Sequence, residues 1–138
     1  MLARIRSAAV LGIDAYLVEV EVDITNGLPS VATVGLPHGA VKEGRERVTA
    51  ALVNAGYNFP LKRITINLAP ADVRKDGSGF DLPIALGILA ASEQLEAGGL
   101  AEQLILGEVG LEGDLRPVRG ALSMTLAARK AGLRGVIL

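Results

Sequence analysis

Residues 15–25 set the pattern of the chain: Val18, Val20, Val22 and Ile24 alternate with Glu19, Glu21 and Asp23. A period of two with one apolar and one acidic face is that of a half-buried strand. Just before it, residues 3–11 place Arg4 and Arg6 on either side of Ile5. If Leu11-Gly-Ile-Asp14 turns the chain back, these arginines face the acidic row across two paired strands. Asn26-Gly27 is a turn signal, since both residues accept positive φ, and Ser30–Val34 follows as a third strand. Gly35-Leu-Pro-His38 breaks it and opens a helix from about Ala40 to Ala55. Its apolar stripe is Val41, Val48, Leu52 and Ala55, with Lys42/Glu46 and Glu43/Arg47 at i,i+4 spacing. Gly56 supplies the stop. His38, just ahead of this helix, reads as a surface or capping residue.

The second half repeats the alternation of strand and helix. Arg63–Leu68 puts Ile64, Ile66 and Leu68 on one face of a fourth strand. A helical run from Pro83 to Leu95 is apolar almost all round, which predicts burial between layers. Asp81 is placed to cap it, with Pro83 tolerated in the first turn, and Gly87 with Ala85, Ala90 and Ala91 permits close approach of a neighbour. Leu104–Glu108 is a fifth strand. Glu112-Gly113 turns it into a short sixth around Leu115, and Pro117 ends that one. Gly120–Ala131 is a third helix closed by Gly132, and 136–138 open a seventh strand. The order βββαβαββαβ predicts an α+β fold, a mixed β-sheet with about three helices packed on it.

Composition narrows the function. With 138 residues, residues 1–138 form a single domain with a core large enough to fold alone. Half the chain is apolar, yet it has two Phe, two Tyr and no Trp, so the core is aliphatic. Fourteen basic against fifteen acidic residues leave a net charge of −1, which is no global footprint for nucleic acid. Zero cysteines exclude disulfides and cysteine-ligated zinc, and a single histidine argues against a histidine-rich metal site. Met1-Leu-Ala-Arg-Ile-Arg lacks the apolar core of a signal peptide, and the apolar run Leu82–Ala91 is short of the about 20 residues needed to span a bilayer. A cytoplasmic location and no membrane partner are expected.

Chemistry is concentrated in the loop between the fourth strand and the apolar helix, Ala69-Pro-Ala-Asp-Val-Arg-Lys-Asp-Gly-Ser-Gly-Phe-Asp81. Gly77, Ser78 and Gly79 before a helix N-terminus form an anion-friendly loop, but neither G-x-x-x-x-G-K-[ST] nor a G-x-G-x-x-G after a strand occurs. Nucleotide hydrolysis by these residues is therefore not expected. Asp72, Asp76 and Asp81 with Arg74 and Lys75 read as a solvated, capped loop before they read as a magnesium site. A Ser–Lys dyad needs a desolvated lysine within reach of the serine. Lys75 beside Ser78 is expected to be solvated and protonated, and Lys130 near a helix end is held charged by the dipole.

Four ordered stretches carry a resemblance: Val34-Gly-Leu-Pro37, Ala40-Val-Lys-Glu43, Arg63-Ile-Thr-Ile-Asn-Leu-Ala-Pro-Ala-Asp72 and Phe80-Asp-Leu-Pro-Ile-Ala85. Together they resemble the N-terminal domain of the ComM/YifB group of magnesium-chelatase-like AAA+ ATPases, over essentially the whole chain. The resemblance implies a ribosomal-protein-S5-domain-2-like fold, shared with the Lon protease domain. It implies truncation at the C-terminal strand, where Gly135-Val-Ile-Leu138 stops in mid-strand, and an AAA+ module beyond it that uses ATP and Mg2+. No cofactor is expected in residues 1–138. It further implies a hexameric ring and a helicase acting in branch migration and natural transformation. Set against the Lon pattern, the nucleophile position falls on Gly79 and the lysine position on Leu122, so no catalytic residue is expected.

The expected function is thus a non-catalytic accessory domain that contacts DNA or assembles subunits. Alternatives are a Lon-type peptidase using Ser78, or an interaction domain working through the Arg–Glu faces of the first strands and the helix at 40–55. Phosphate contacts need clustered cations. The candidates are Lys62, Arg63, Arg74, Lys75, Arg116 and Arg119, then Arg129, Lys130 and Arg134, with Arg74 and Lys75 foremost. Few aromatic side chains are available for stacking, so binding to DNA is expected to be sequence-tolerant and salt-sensitive.

Overall fold

The computed structural model describes every residue except Leu36 and Arg74, together with the side chains of all the rest but Leu11. The strands are β1 (Leu2–Leu11), β2 (Asp14–Thr25), β3 (Ser30–Val34), β4 (Arg63–Ala69), β5 (Gln103–Ile105), β6 (Glu108–Val109), β7 (Leu115–Arg116) and β8 (Gly135–Ile137). The helices are α1 (Ala40–Asn54), α2 (Asp81–Ala91) and α3 (Ala121–Lys130), with a 3-10 turn at Leu100–Glu102. Six strands form one mixed sheet in the order β3-β4-β2-β1-β5-β8, and β6 with β7 makes a separate small hairpin.

The alternation along β1 and β2 produces the expected pair, in register from Leu2↔Asp23 to Leu11↔Asp14. One face buries Ile5, Val18, Val20 and Val22. On the other, Arg4 reaches Glu21 at 3.2 Å and Glu19 at 3.5 Å, and Asn67 from β4 donates to Glu21 at 2.9 Å. The Asn26-Gly27 turn, however, does not pair the strands it joins. β3 runs parallel to β4, and β4 lies antiparallel to β2 between them, because the β3-α1-β4 crossover returns the chain one strand further in.

α1 and α2 cover one face of the sheet. Ten of the eleven residues of α2 are buried, which is what an all-round apolar helix requires. A Cβ on Gly87 would sit 2.6 Å from Val22 Cγ2, so the glycine is what lets this helix lie against β2. α3 covers the other face more sparsely, and a second, smaller core of Ala8, Leu104, Leu106, Met124 and Ala128 fills the space beneath it. Each fully buried Val, Leu or Ile contributes about 1.5–3 kcal/mol in removed apolar surface, and the main core holds most of them.

Three expectations change. α2 ends at Ala91 and does not reach Leu95, since Glu93 takes a left-handed φ of 62° with no glycine to announce it. The strand read as Leu104–Glu108 divides in two. Leu106 N–H goes to Ile137 O at 2.9 Å and Gly107 N–H to Gly79 O at 2.9 Å, which turns Glu108 and Val109 out of the sheet to pair with β7. There are therefore eight strands among the described residues, where the pattern gives seven. Asp81, finally, makes no side-chain cap: it lies inside α2, whose N-cap is Phe80.

Candidate functional site

The loop at 70–80 leaves the end of β4 after a cis Ala69–Pro70 bond and passes beneath the segment before α1. Lys75 pairs with Pro37 in a parallel bridge, and its carbonyl accepts the His38 N–H at 2.9 Å. This pairing turns the Lys75 side chain inward, where it is 0% exposed. Its ammonium donates to the Pro70 carbonyl oxygen. Burial lowers its pKa from the ordinary lysine value, with Asp72 pulling modestly the other way. Lys75 therefore departs from the expected solvated, DNA-facing residue. Desolvated it is, but it is aimed at a backbone carbonyl and its hydrogen bond does not go to Ser78. Arg74, its companion in the expectation, lies outside the described residues.

The same segment ties down the loop's backbone. Asp76 Oδ1 accepts the Gly77 N–H at 2.8 Å, so the loop's own carboxylate takes a donor that the sequence offered to an anion. Its carboxylate also stands by the start of α1, 2.6 Å from where a Cβ on Gly39 would be, and a negative charge there is favoured by the helix dipole. Ser78 O accepts the Asp81 N–H at 3.1 Å.

The loop, β1 and the chain on either side of β6 and β7 enclose a cleft of about 470 Å³, whose polar lining comes from Asp76, Ser78, Glu108 and Arg119. Gly79 sits on its wall, where a Cβ would lie 3.2 Å from Val118 Cγ1 and 3.5 Å from Leu106 Cδ2. A side chain at this position would press on apolar neighbours. Leu122, the other position in question, is 75% exposed on α3. Among the described residues no group of three His, Cys, Asp or Glu side chains is placed to hold a metal ion.

Beside the cleft lies a bidentate ion pair that sequence reasoning did not foresee. Arg47 Nε donates to Asp81 Oδ2 at 2.6 Å and Nη2 to Oδ1 at 3.0 Å, and the Val109 N–H reaches the same carboxylate at 3.3 Å. Burial pushes the Asp81 carboxyl up, while the Arg47 hydrogen bonds and charge pull it back. The Asp81 bond raises Arg47 in turn. The expected Glu43–Arg47 pair exists at 3.6 Å but is secondary. A Cβ on Gly44 would stand 2.9 Å from Asp81 Oδ1, so that glycine inside a helix was the available signal for something packed against α1.

The remaining cations are exposed but dispersed. Lys62 and Arg63 stand at the start of β4 and the loop at its end, about 20 Å away at roughly 3.3 Å per residue. Arg116 pairs with Asp114 at 3.4 Å and Arg134 with Glu102 at 3.3 Å. Arg119 lines the cleft opposite Asp76 and Glu108, and Arg129 with Lys130 lines a groove beside α3.

A mixed-sheet α+β domain with a cleft of mixed polar and apolar lining, and Gly79 on its wall, defines the class. The family described as subunit ChlI of Mg-chelatase matches residues 20–138. Uncharacterized protein YifB of Salmonella typhimurium is 52% identical over 131 residues, 95% of this chain and 26% of the relative. Competence protein ComM of Haemophilus influenzae is 51% identical over 130 residues, 94% of this chain and 26% of the relative. Rv2897c of Mycobacterium tuberculosis, also uncharacterized, is 45% identical over 136 residues, 99% and 27%. The chain belongs to the magnesium-chelatase-like family, in its ComM/YifB group. It spans about a quarter of the length of these relatives.

Proposed function

We propose that residues 1–138 serve as a non-catalytic accessory domain of a magnesium-chelatase-like AAA+ protein that works on DNA, contributing contact or assembly and leaving chemistry to other parts of the protein. The observation that supports this most directly is Gly79: where the peptidase pattern would put a nucleophile, the cleft wall carries no side chain, and Val118 and Leu106 leave little room for one. Lys75, the one desolvated lysine in this loop, is engaged by the Pro70 carbonyl. ATP and Mg2+ would act in an AAA+ module outside these residues, in a cytoplasmic, ring-forming protein. Among the described residues no helix is long and apolar enough to cross a membrane. The DNA-linked role leans on the name of the Haemophilus relative, a competence protein.

Lys62, Arg63, Arg116 and Arg119 remain as DNA contacts in this reading, all exposed. Four dispersed cations on a chain of net charge −1 favour weak, sequence-tolerant contact over a dedicated grip. The test has two arms. An active-serine acylating probe should leave the chain unlabelled, and labelling abolished by Ser78→Ala would establish the peptidase reading instead. DNA affinity at two salt concentrations should fall when Arg116 and Arg119 become Ala. An affinity unchanged by those substitutions and by Lys62→Ala with Arg63→Ala would remove DNA contact and leave assembly.

A further inference from the structure

The strand at one margin of the main sheet, β3, is paired on one side only, since the order runs β3-β4-β2-β1-β5-β8. Its Ser30 N–H goes to Lys62 O at 3.3 Å, and Ser30 to Val34 run in step with Arg63 to Asn67. Backbone groups along a strand alternate in direction. Ser30, Ala32 and Val34 therefore bond toward β4, while Val31 and Thr33 turn their N–H and C=O groups to the open edge. Proteins blunt such an edge with charge, proline, a bulge or a covering segment. Ser30-Val-Ala-Thr-Val34 contains no charged residue and no proline, and its register with β4 is unbroken. The opposite margin, β8, is only three residues long.

The side chains beside this edge define what would cover it. On the α1 side a narrow gap is walled by Val31, Thr33 and Phe59, and Arg45 lines it as well. Lys42 stands one turn before Arg45 on the same flank of the helix. Among the described residues neither cation makes an ion pair. The exposed Glu46 projects about 100° further round the helix than Arg45. Lys62 and Arg63, both exposed, add two cations where β3 and β4 begin. The nearest acid of β2 across the sheet from them, Asp23, lies two strands in and stands 4.0 Å from the Met1 amino group. On the face away from α1, Ala32 and Val34 are exposed, and Leu28 at the entry to the strand is 88% exposed. The surroundings of the edge are thus cationic on one side and apolar on the other.

We infer that β3 is a docking edge for an extended peptide with acidic side chains, contributed by a partner protein and added to the sheet beside β3. The peptide main chain exchanges hydrogen bonds with Val31 and Thr33. Its carboxylates face Arg45 and Lys42, and its alternate apolar residues lie beside Ala32 and Val34. Hydrogen bonding favours a peptide over the nucleic-acid backbone here. Phosphate oxygens only accept, whereas the edge presents carbonyl acceptors as well as N–H donors. The inference goes beyond the accessory-domain reading and does not depend on DNA contact.

Fluorescence anisotropy of the fluorescein-tagged, amide-capped peptide Glu-Val-Glu-Val-Glu titrated with the chain tests it. Saturable binding is expected, with backbone amide shifts at Val31 and Thr33 in a heteronuclear NMR titration. Two analogues, methylated at the valine or at the glutamate nitrogens, probe the main-chain pairing. One of them should bind about tenfold more weakly, because it loses the donors that face β3. Lys42→Glu with Arg45→Glu should weaken binding of the parent peptide by about tenfold or more, and Lys-Val-Lys-Val-Lys should bind that variant in its place. Thr33→Pro removes an outward N–H and spares the β4 ladder, so it should weaken binding too, with circular dichroism to confirm folding. The charge reversal alters two exposed positions and decides the matter even where proline disturbs the strand. No binding, equal binding of both methylated analogues and the parent, amide shifts confined to other segments, indifference to the charge reversal, or displacement of the peptide by hexathymidylate would each overturn the inference. Lys62 and Arg63 are unchanged in every variant, so the DNA-contact reading stands or fails separately.

Discussion

At the scale of single residues, two buried charges distinguish this chain from a generic aliphatic core. Lys75 is enclosed with its ammonium on the Pro70 carbonyl, and its folded pKa is lowered by desolvation from the ordinary 10.5. The unfolded chain therefore holds the proton more tightly, and stability should rise with pH from the lowered folded value up to about 10.5. Lys75→Met removes the titrating group at similar volume. It should flatten this alkaline rise in denaturant titrations and leave stability at pH 7 equal or higher, whereas Lys75→Ala should lose about 2–4 kcal/mol to the cavity it leaves. Asp81 behaves oppositely, because its partner is well aligned. Asp81→Ala strands the Arg47 guanidinium and the Val109 N–H, an expected loss of about 3 kcal/mol by thermal or chemical denaturation. Arg47 keeps some solvent access, which holds the figure at the low end of the range for buried pairs.

At the scale of elements, close packing decides what a propensity argument leaves open. Gly87→Ala should favour an isolated α2 by about 1 kcal/mol. In the fold its methyl would sit 2.6 Å from Val22 Cγ2, so overpacking of about 1–3 kcal/mol should dominate. A fall in the urea midpoint is expected, and an increase would show that α2 shifts without cost. Gly44→Ala makes the same comparison in α1, with the Asp81 carboxylate in place of a valine. Stability should fall less in Gly44→Ala when Asp81 is already Ala, a coupling a double-mutant cycle reads directly.

For the molecule as a whole, the distribution of charge matters more than its sum. The exposed cations offered as DNA contacts stand at the start of β4, at the cleft and at or just beyond the end of α3, and Arg116 and Arg134 are paired with acids. If DNA crosses the cleft face, replacing Arg116 and Arg119 by Ala should reduce the slope of log affinity against log salt by about 0.9 for each phosphate no longer neutralised. The Lys62/Arg63 pair, at the far end of β4, should then act additively. A slope unchanged in both pairs would remove these four residues as DNA contacts.

Read alone, the chain specifies its elements because their periods are local. The valine and acid alternation of residues 18–24, the apolar run of α2 and the Arg4–Glu21 face all follow from side-chain spacing, and the structure contains each of them. It also shows which residues, glycine at 79 and leucine at 122, stand at the two positions compared with the Lon pattern. What it does not determine depends on contacts between distant segments. The Pro37–Lys75 bridge reverses the expected exposure of Lys75. The reach of Arg47 across 34 positions turns an apparent helix cap into a buried ion pair. The bond from Gly107 to Gly79 splits one strand into two. In each case a polar group must be satisfied once it is buried, and which group becomes its partner is decided only when the layers close.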